Sequence, residues 1–220
     1  MRKVTSISVA LFTVVVSLVP AGCRSTYYKA WEKLGWAKRD ILVDRIEDAR
    51  DDQQKAKEQF QTTLERFRTV TKTNPTDLEQ QYKRLKSDYD RCVSRAKDVT
   101  DQIASVEQVA NDMFKEWQDE LGQYSNADLR RNSEQQLRTT RQRYEQLLSV
   151  MKQAESKMHP VLVRFNDQVL VLKHNLNAQA IAQLQSTAAA IEKDVAALIA
   201  DMERSINEAN TFIKEIEKQG

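Results

Sequence analysis

The stretch from Leu78 to Trp117 constrains the fold more than any other part of the chain. Stepping alternately by four and three residues gives Leu78, Tyr82, Leu85, Tyr89, Cys92, Ala96, Val99, Ile103, Val106, Ala110, Met113 and Trp117, with no charged residue among them. Such a repeat paints one apolar stripe along a helix, and the stripe is stable only against a partner helix. Continued through Leu121 and Tyr124, the helix would be roughly 70 Å long at about 1.5 Å per residue.

Three more stretches repeat the pattern. One runs Leu42, Ile46, Ala49, Gln53, Ala56, Phe60, Thr63, Phe67, Val70. A less regular one runs Leu129, Leu137, Thr140, Tyr144, Leu147, Met151, Ala154, Met158, Val161, Phe165. The last runs from Ile181 through Leu184, Ala188, Ile191, Val195, Leu198, Met202, Ile206, Ala209 and Phe212 to Ile216. Strand-like alternation competes with none of them.

The breaks are few, because the chain has only 4 Gly and 3 Pro. Residues 72–77 (Lys-Thr-Asn-Pro-Thr-Asp) read as a turn, with Thr76 and Glu79 placed to form a capping box. Residues 122–126 read as a second turn, with Ser125 or Asn126 capping the next helix and Asp128 suiting its positive end. Pro160 has apolar residues continuing on both sides, which favours a kink over a full turn. Residues 173–177 could reverse the chain, but they lack Gly and Pro, and a helix running straight through is the other reading. Short turns between long helices make antiparallel neighbours. The expected fold is all-α: an elongated antiparallel helical bundle or coiled coil of three to four long helices over residues 41–220.

The N-terminus has a different character. Arg2 and Lys3 precede an uncharged, mostly apolar run from Val4 to Val19, followed by Pro20-Ala21-Gly22-Cys23. A basic start, a short apolar run and small residues before a cut are the marks of a secretory signal. The run is too short for the roughly 20 apolar residues of a membrane span. Ala21-Gly22-Cys23 resembles the lipobox of bacterial lipoproteins, although Pro20 stands where that motif usually carries Leu or another small or apolar residue. The resemblance implies a signal peptide over 1–22 and acylation at Cys23. Two or three acyl chains hold a protein stably where one does not, each buried methylene contributing about 0.8 kcal/mol. Arg24, rather than Asp, follows the cysteine, which in lipoproteins favours the outer over the inner membrane. Ordinary cleavage to a free periplasmic protein is the alternative.

Residues 23–40 then carry Tyr27, Tyr28, Lys29, Trp31, Lys33, Trp36, Lys38 and Arg39. Aromatic rings with Lys and Arg suit a membrane interface; a cap on the end of the bundle is the other reading of Trp31 and Trp36. Charge argues against nucleic acid as a partner. The chain has 34 Lys+Arg against 32 Asp+Glu, and Arg2 and Lys3 account for the whole excess. The mature chain is formally neutral, whereas nucleic-acid binders need a basic face.

Nothing in the sequence reads as a catalytic or cofactor site. His159 and His174 have no second ligand at helical spacing, so no metal is expected. Clustered glycines for a phosphate and a nucleophile on a tight Gly turn are both missing. With Cys23 acylated, Cys92 has no disulfide partner and reads as a buried core residue.

Residues 23–35 and 38–45, together with Pro160 to Ala178, resemble the domain of unknown function 2959 family of proteobacterial proteins. The resemblance implies a lipoprotein-like envelope protein and supplies no catalytic residues. The expectation is a non-enzymatic, lipid-anchored periplasmic coiled-coil protein, held at the membrane through Cys23 and serving an envelope protein partner as scaffold, spacer or adaptor. A homo-oligomer through exposed heptad positions is compatible with it. The alternative is a binding module that takes a lipid or cell-wall ligand along a helical groove.

Overall fold

The computed structural model describes residues 38–218. Four long helices follow one another there: α1 (Lys38–Val70), α2 (Leu78–Glu120), α3 (Ala127–His174) and α4 (Ala178–Glu217). Two short 3₁₀ turns, Pro75–Asp77 and Leu121–Gln123, sit in the connections before and after α2. No strand occurs among the described residues. With 43 residues, α2 is about 65 Å long.

Side-chain contacts fix the order and direction of the helices. Lys38 meets Glu116 at 2.7 Å and Arg66 meets Asp88 at 3.0 Å, so α1 and α2 are antiparallel. Glu107 with Lys152, and Trp117 with Ser133, set α3 antiparallel to α2. Arg143 with Glu215, and Gln168 with Thr187, do the same for α4 against α3. Arg50 with Asn210, and Arg68 with Glu192, close the ring between α4 and α1. The result is an up-down-up-down four-helix bundle. Its near end holds Lys38 and the α2–α3 connection; its far end holds the other two connections.

The stripes meet in the middle. Phe60, Phe67, Leu85, Ile103, Leu147, Met151, Phe165 and Leu184 are completely enclosed. Each such side chain stabilises the fold by about 1.5–3 kcal/mol over an exposed one.

Local chemistry explains the ends. The side chain of Asn126 accepts from the amides of Asp128 and Leu129, at 2.8 and 3.1 Å, and starts α3. Asn177 accepts from the amide of Ala180 at 3.0 Å and starts α4. Residues 175–177 therefore do reverse the chain without Gly or Pro, because an asparagine caps the helix that follows. Through Pro160 the helix continues; its ring stands on the exposed side of α3.

Several details depart from the sequence reading. The capping box at Thr76 and Glu79 does not form. Pro75 opens a 3₁₀ turn, so Thr76 lies inside that turn and Asp77 takes the N-cap position without a side-chain bond. Glu79 binds Lys83 instead, at 2.6 Å. Leu129 and Tyr124 are exposed rather than on the seam. Opposite them α4 has ended, so the first turns of α3 have one neighbour fewer. Near Trp117 the core is filled by Phe114, which packs against Tyr144 at 5.5 Å between ring centroids.

Candidate functional site

Most of the sequence-derived site lies at the N-terminus. Cys23, Tyr27, Tyr28, Lys29, Trp31, Lys33 and Trp36 fall outside the described residues. Lys38 and Arg39 fall inside and form the first turn of α1. Lys38 reaches the last turns of α2 at Glu116, and Arg39 lies 3.6 Å from its neighbour Asp40.

Two further features have chemical character, a set of buried polar groups and an open groove. Asp88 is 1% exposed and Asp201 is 3% exposed, in positions where the bundle is otherwise apolar. Asp88 on α2 is met by Arg66 from α1, at 3.0 Å, and by Arg91 one turn along its own helix. Asp201 on α4 is met by Lys157 from α3 and by Arg204 one turn along. The amide of Gln153 approaches it at 3.5 Å. The arrangement is the same in both hairpins: a carboxylate inside and two cations reaching in from the surface. Burying a carboxylate is costly unless it is paired and hydrogen-bonded, and here it is.

The sequence carries this duplication. Leu85-Lys-Ser-Asp-Tyr-Asp-Arg-Cys-Val-Ser-Arg-Ala matches Leu198-Ile-Ala-Asp-Met-Glu-Arg-Ser-Ile-Asn-Glu-Ala at the leucine, the aspartate, the arginine, the Cys/Ser position and the final alanine. That signal was available to sequence reasoning, but heptad stepping passes over it. Asp88 and Asp201 lie one residue off the stepped positions and look like solvated face residues.

The Cys/Ser position completes each layer. The thiol of Cys92 lies 3.0 Å from the hydroxyl of Thr63, and that hydroxyl also donates to the carbonyls of Gln59, at 2.9 Å, and Asp88, at 3.3 Å. Burial pushes the thiol up to about 12, so at neutral pH it is a protonated, unreactive core group. Ser205 donates to the amide oxygen of Gln53 at 2.7 Å, deep between α4 and α1.

The groove runs along the outer side of α2 and α3. Val93, Ala96, Met158 and Leu162 form its apolar part, and Lys97, Thr100, Lys152, Glu155, Ser156 and His159 its polar rim. It encloses about 540 Å³. Lys97 is already paired with Asp101, and Lys152 with Glu107. His159 sits on the rim, whereas His174 is in the last turn of α3. Pro160 follows His159 of the rim in α3. Lacking an N–H, Pro160 leaves the carbonyl of Ser156 without its helical partner, and its ring crowds that carbonyl. Among the described residues no group of three His, Cys, Asp or Glu could hold a metal ion. No helix among them is long and apolar enough to cross a membrane.

Residues 27–216 match the family model described as "Protein of unknown function (DUF2959)", and the chain belongs to that family. No curated protein and no solved structure matches the chain.

Proposed function

We propose that this protein is a non-enzymatic, lipid-anchored component of the cell envelope, a helical scaffold, spacer or adaptor on the periplasmic side, most compatible with the outer membrane. The observation that carries the reading is the run from Val4 to Gly22 ending at Cys23, followed within fifteen residues by a rigid helix. Acylation would fix one end of the chain in the bilayer. A bundle with a helix of about 65 Å would then offer an extended surface to a partner in the envelope. The interior supports a structural role, since each of its two buried carboxylates, Asp88 and Asp201, is held by two cations.

The test is the mass of the N-terminal peptide from membranes of the native host. A peptide beginning at Cys23 with two or three acyl chains is the expected result. An unmodified start near Cys23 would refute anchoring. An intact Met1 would refute signal cleavage and leave an uncleaved anchor or a cytosolic protein.

A second reading, a binding module for a lipid or cell-wall ligand, has the groove beside Pro160 in its favour. Lipid or glycan that co-purifies with the protein, and is lost when Leu162 is replaced by Glu, would favour it over the scaffold.

A further inference from the structure

The four seams of the bundle are not tied equally. In its far half, α1 and α2 are joined through Arg66 and Asp88 and through Thr63 and Cys92. There α3 and α4 are joined through Arg164 and Asp194 and through Gln168 and Thr187. Between α1 and α4, Arg68 donates to Glu192 and Gln185 donates to the carbonyl of Thr71, both at 2.7 Å. The α2–α3 seam differs. Its polar and ring contacts are Trp117 to Ser133, Arg141 over Phe114, Phe114 against Tyr144, and Lys152 to Glu107. Among the described residues, no hydrogen bond or ion pair joins α2 to α3 beyond Lys152.

Three other features coincide with the place where those ties stop. The groove lies there. Apolar side chains on its two helices stand in water, with Val93 41% exposed, Val163 45% and Leu170 41%. Pro160 interrupts the hydrogen-bond ladder of α3 at the same level. A helix bends most readily where that ladder is broken.

We infer that the far half of the bundle opens along the α2–α3 seam, with Pro160 as the hinge in α3 and the α1–α4 contact as the spine. The α3–α4 hairpin swings as a unit, because its own cross-links, Arg164 to Asp194 and Gln168 to Thr187, travel with it. Opening exposes one side of the core, including Leu85, Cys92, Phe165 and Leu172. The inference does not depend on acylation at Cys23.

Cys92 is the reporter. It is fully enclosed in the closed bundle, so a thiol reagent reaches it only through an opening. The experiment measures Cys92 modification in the full chain under native conditions and in low urea, with the site located by peptide mass so that Cys23 does not interfere. Opening of one seam exposes far less surface than unfolding, so the rate should be nearly flat in low urea before it joins the global unfolding curve. Replacing Pro160→Ala restores the missing hydrogen bond and should slow modification in the flat region by about tenfold or more. The double variant Arg68→Ala/Glu192→Ala, which loosens the spine, should leave that region changed by less than about twofold, because an exposed ion pair contributes little. Modification that follows global unfolding at every urea concentration would overturn the inference. So would a Pro160→Ala effect no larger than its effect on global stability, or a spine variant that accelerates the reaction more than Pro160→Ala slows it.

Discussion

Removing the two cations around Asp201 should damage the fold far more than removing Asp201 itself. Lys157 is 41% exposed and Arg204 54%, against 3% for the carboxylate between them. Deleting the carboxylate returns two flexible cations to water they already touch. Deleting the cations leaves a negative charge in the core with one weak donor, the Gln153 amide at 3.5 Å. Stranding a buried charge costs about 3–5 kcal/mol, whereas replacing a whole buried ion pair by apolar groups is often neutral. We therefore expect Lys157→Met/Arg204→Leu to lower stability by about 3–5 kcal/mol, and addition of Asp201→Leu to recover most of it. Urea unfolding followed by helical circular dichroism reads this directly. With a slope of about 2 kcal/mol per molar urea, the midpoint should fall by roughly 1.5–2.5 M and return in the triple variant. A loss below about 1 kcal/mol in the double variant is the surface-pair value. It would refute the reasoning by showing that the carboxylate keeps its water. Equal losses from Asp201→Leu alone and from the double variant would refute it too.

Two other outcomes follow from single groups. Cys92 keeps its proton in the fold up to about 12 but loses it in the unfolded chain from its ordinary 9.0. Its contribution is complete below pH 9 and is lost as pH rises from there to about 12; in that window the wild type should lose about 1.4 kcal/mol more per pH unit than Cys92→Ala, as measured by urea midpoints at pH 8, 9.5 and 10.5. Asn126→Ala should cost about 1 kcal/mol through the loss of the cap at the start of α3, and Asn126→Ser should restore most of it, read from thermal unfolding.

Much of the fold was legible because heptads survive local detail. From Leu78 to Val106 the stepping passes through buried or half-buried positions throughout, and Gln53, Thr63 and Thr140 are buried although they are polar. The reading failed where the repeat says nothing about neighbours. Leu129 reads as the start of the third stripe because it is apolar, yet α4 does not extend far enough to cover it. Ile206 reads as a seam position but is only half-buried; the enclosed position is its neighbour Ser205, whose hydroxyl donates to Gln53. The groove was not legible at all. It depends on which helix lies beside Pro160, and that follows from the topology rather than from any one segment.

The buried polar layers answer a problem that the apolar stripes create. A seam built only of Leu, Ile, Val and Ala is nearly indifferent to a slip of one heptad, since every apolar residue then meets another apolar residue. A slip between α1 and α2 would place Gln59 or Thr73 where Arg66 stands, and Asp88 would lose a partner. The same slip between α3 and α4 would bring Val150 or Arg164 to Asp201 in place of Lys157, so only one direction strands the carboxylate, and one between α1 and α4 would separate Gln53 from Ser205. Each of these three seams thus carries some registration of its own, weakest between α3 and α4. In the far half the α2–α3 seam carries none, and it needs none, because three fixed registers around a ring determine the fourth. The far half of the seam whose register comes from the others is the stretch that can open without breaking a hydrogen bond or ion pair between its two helices.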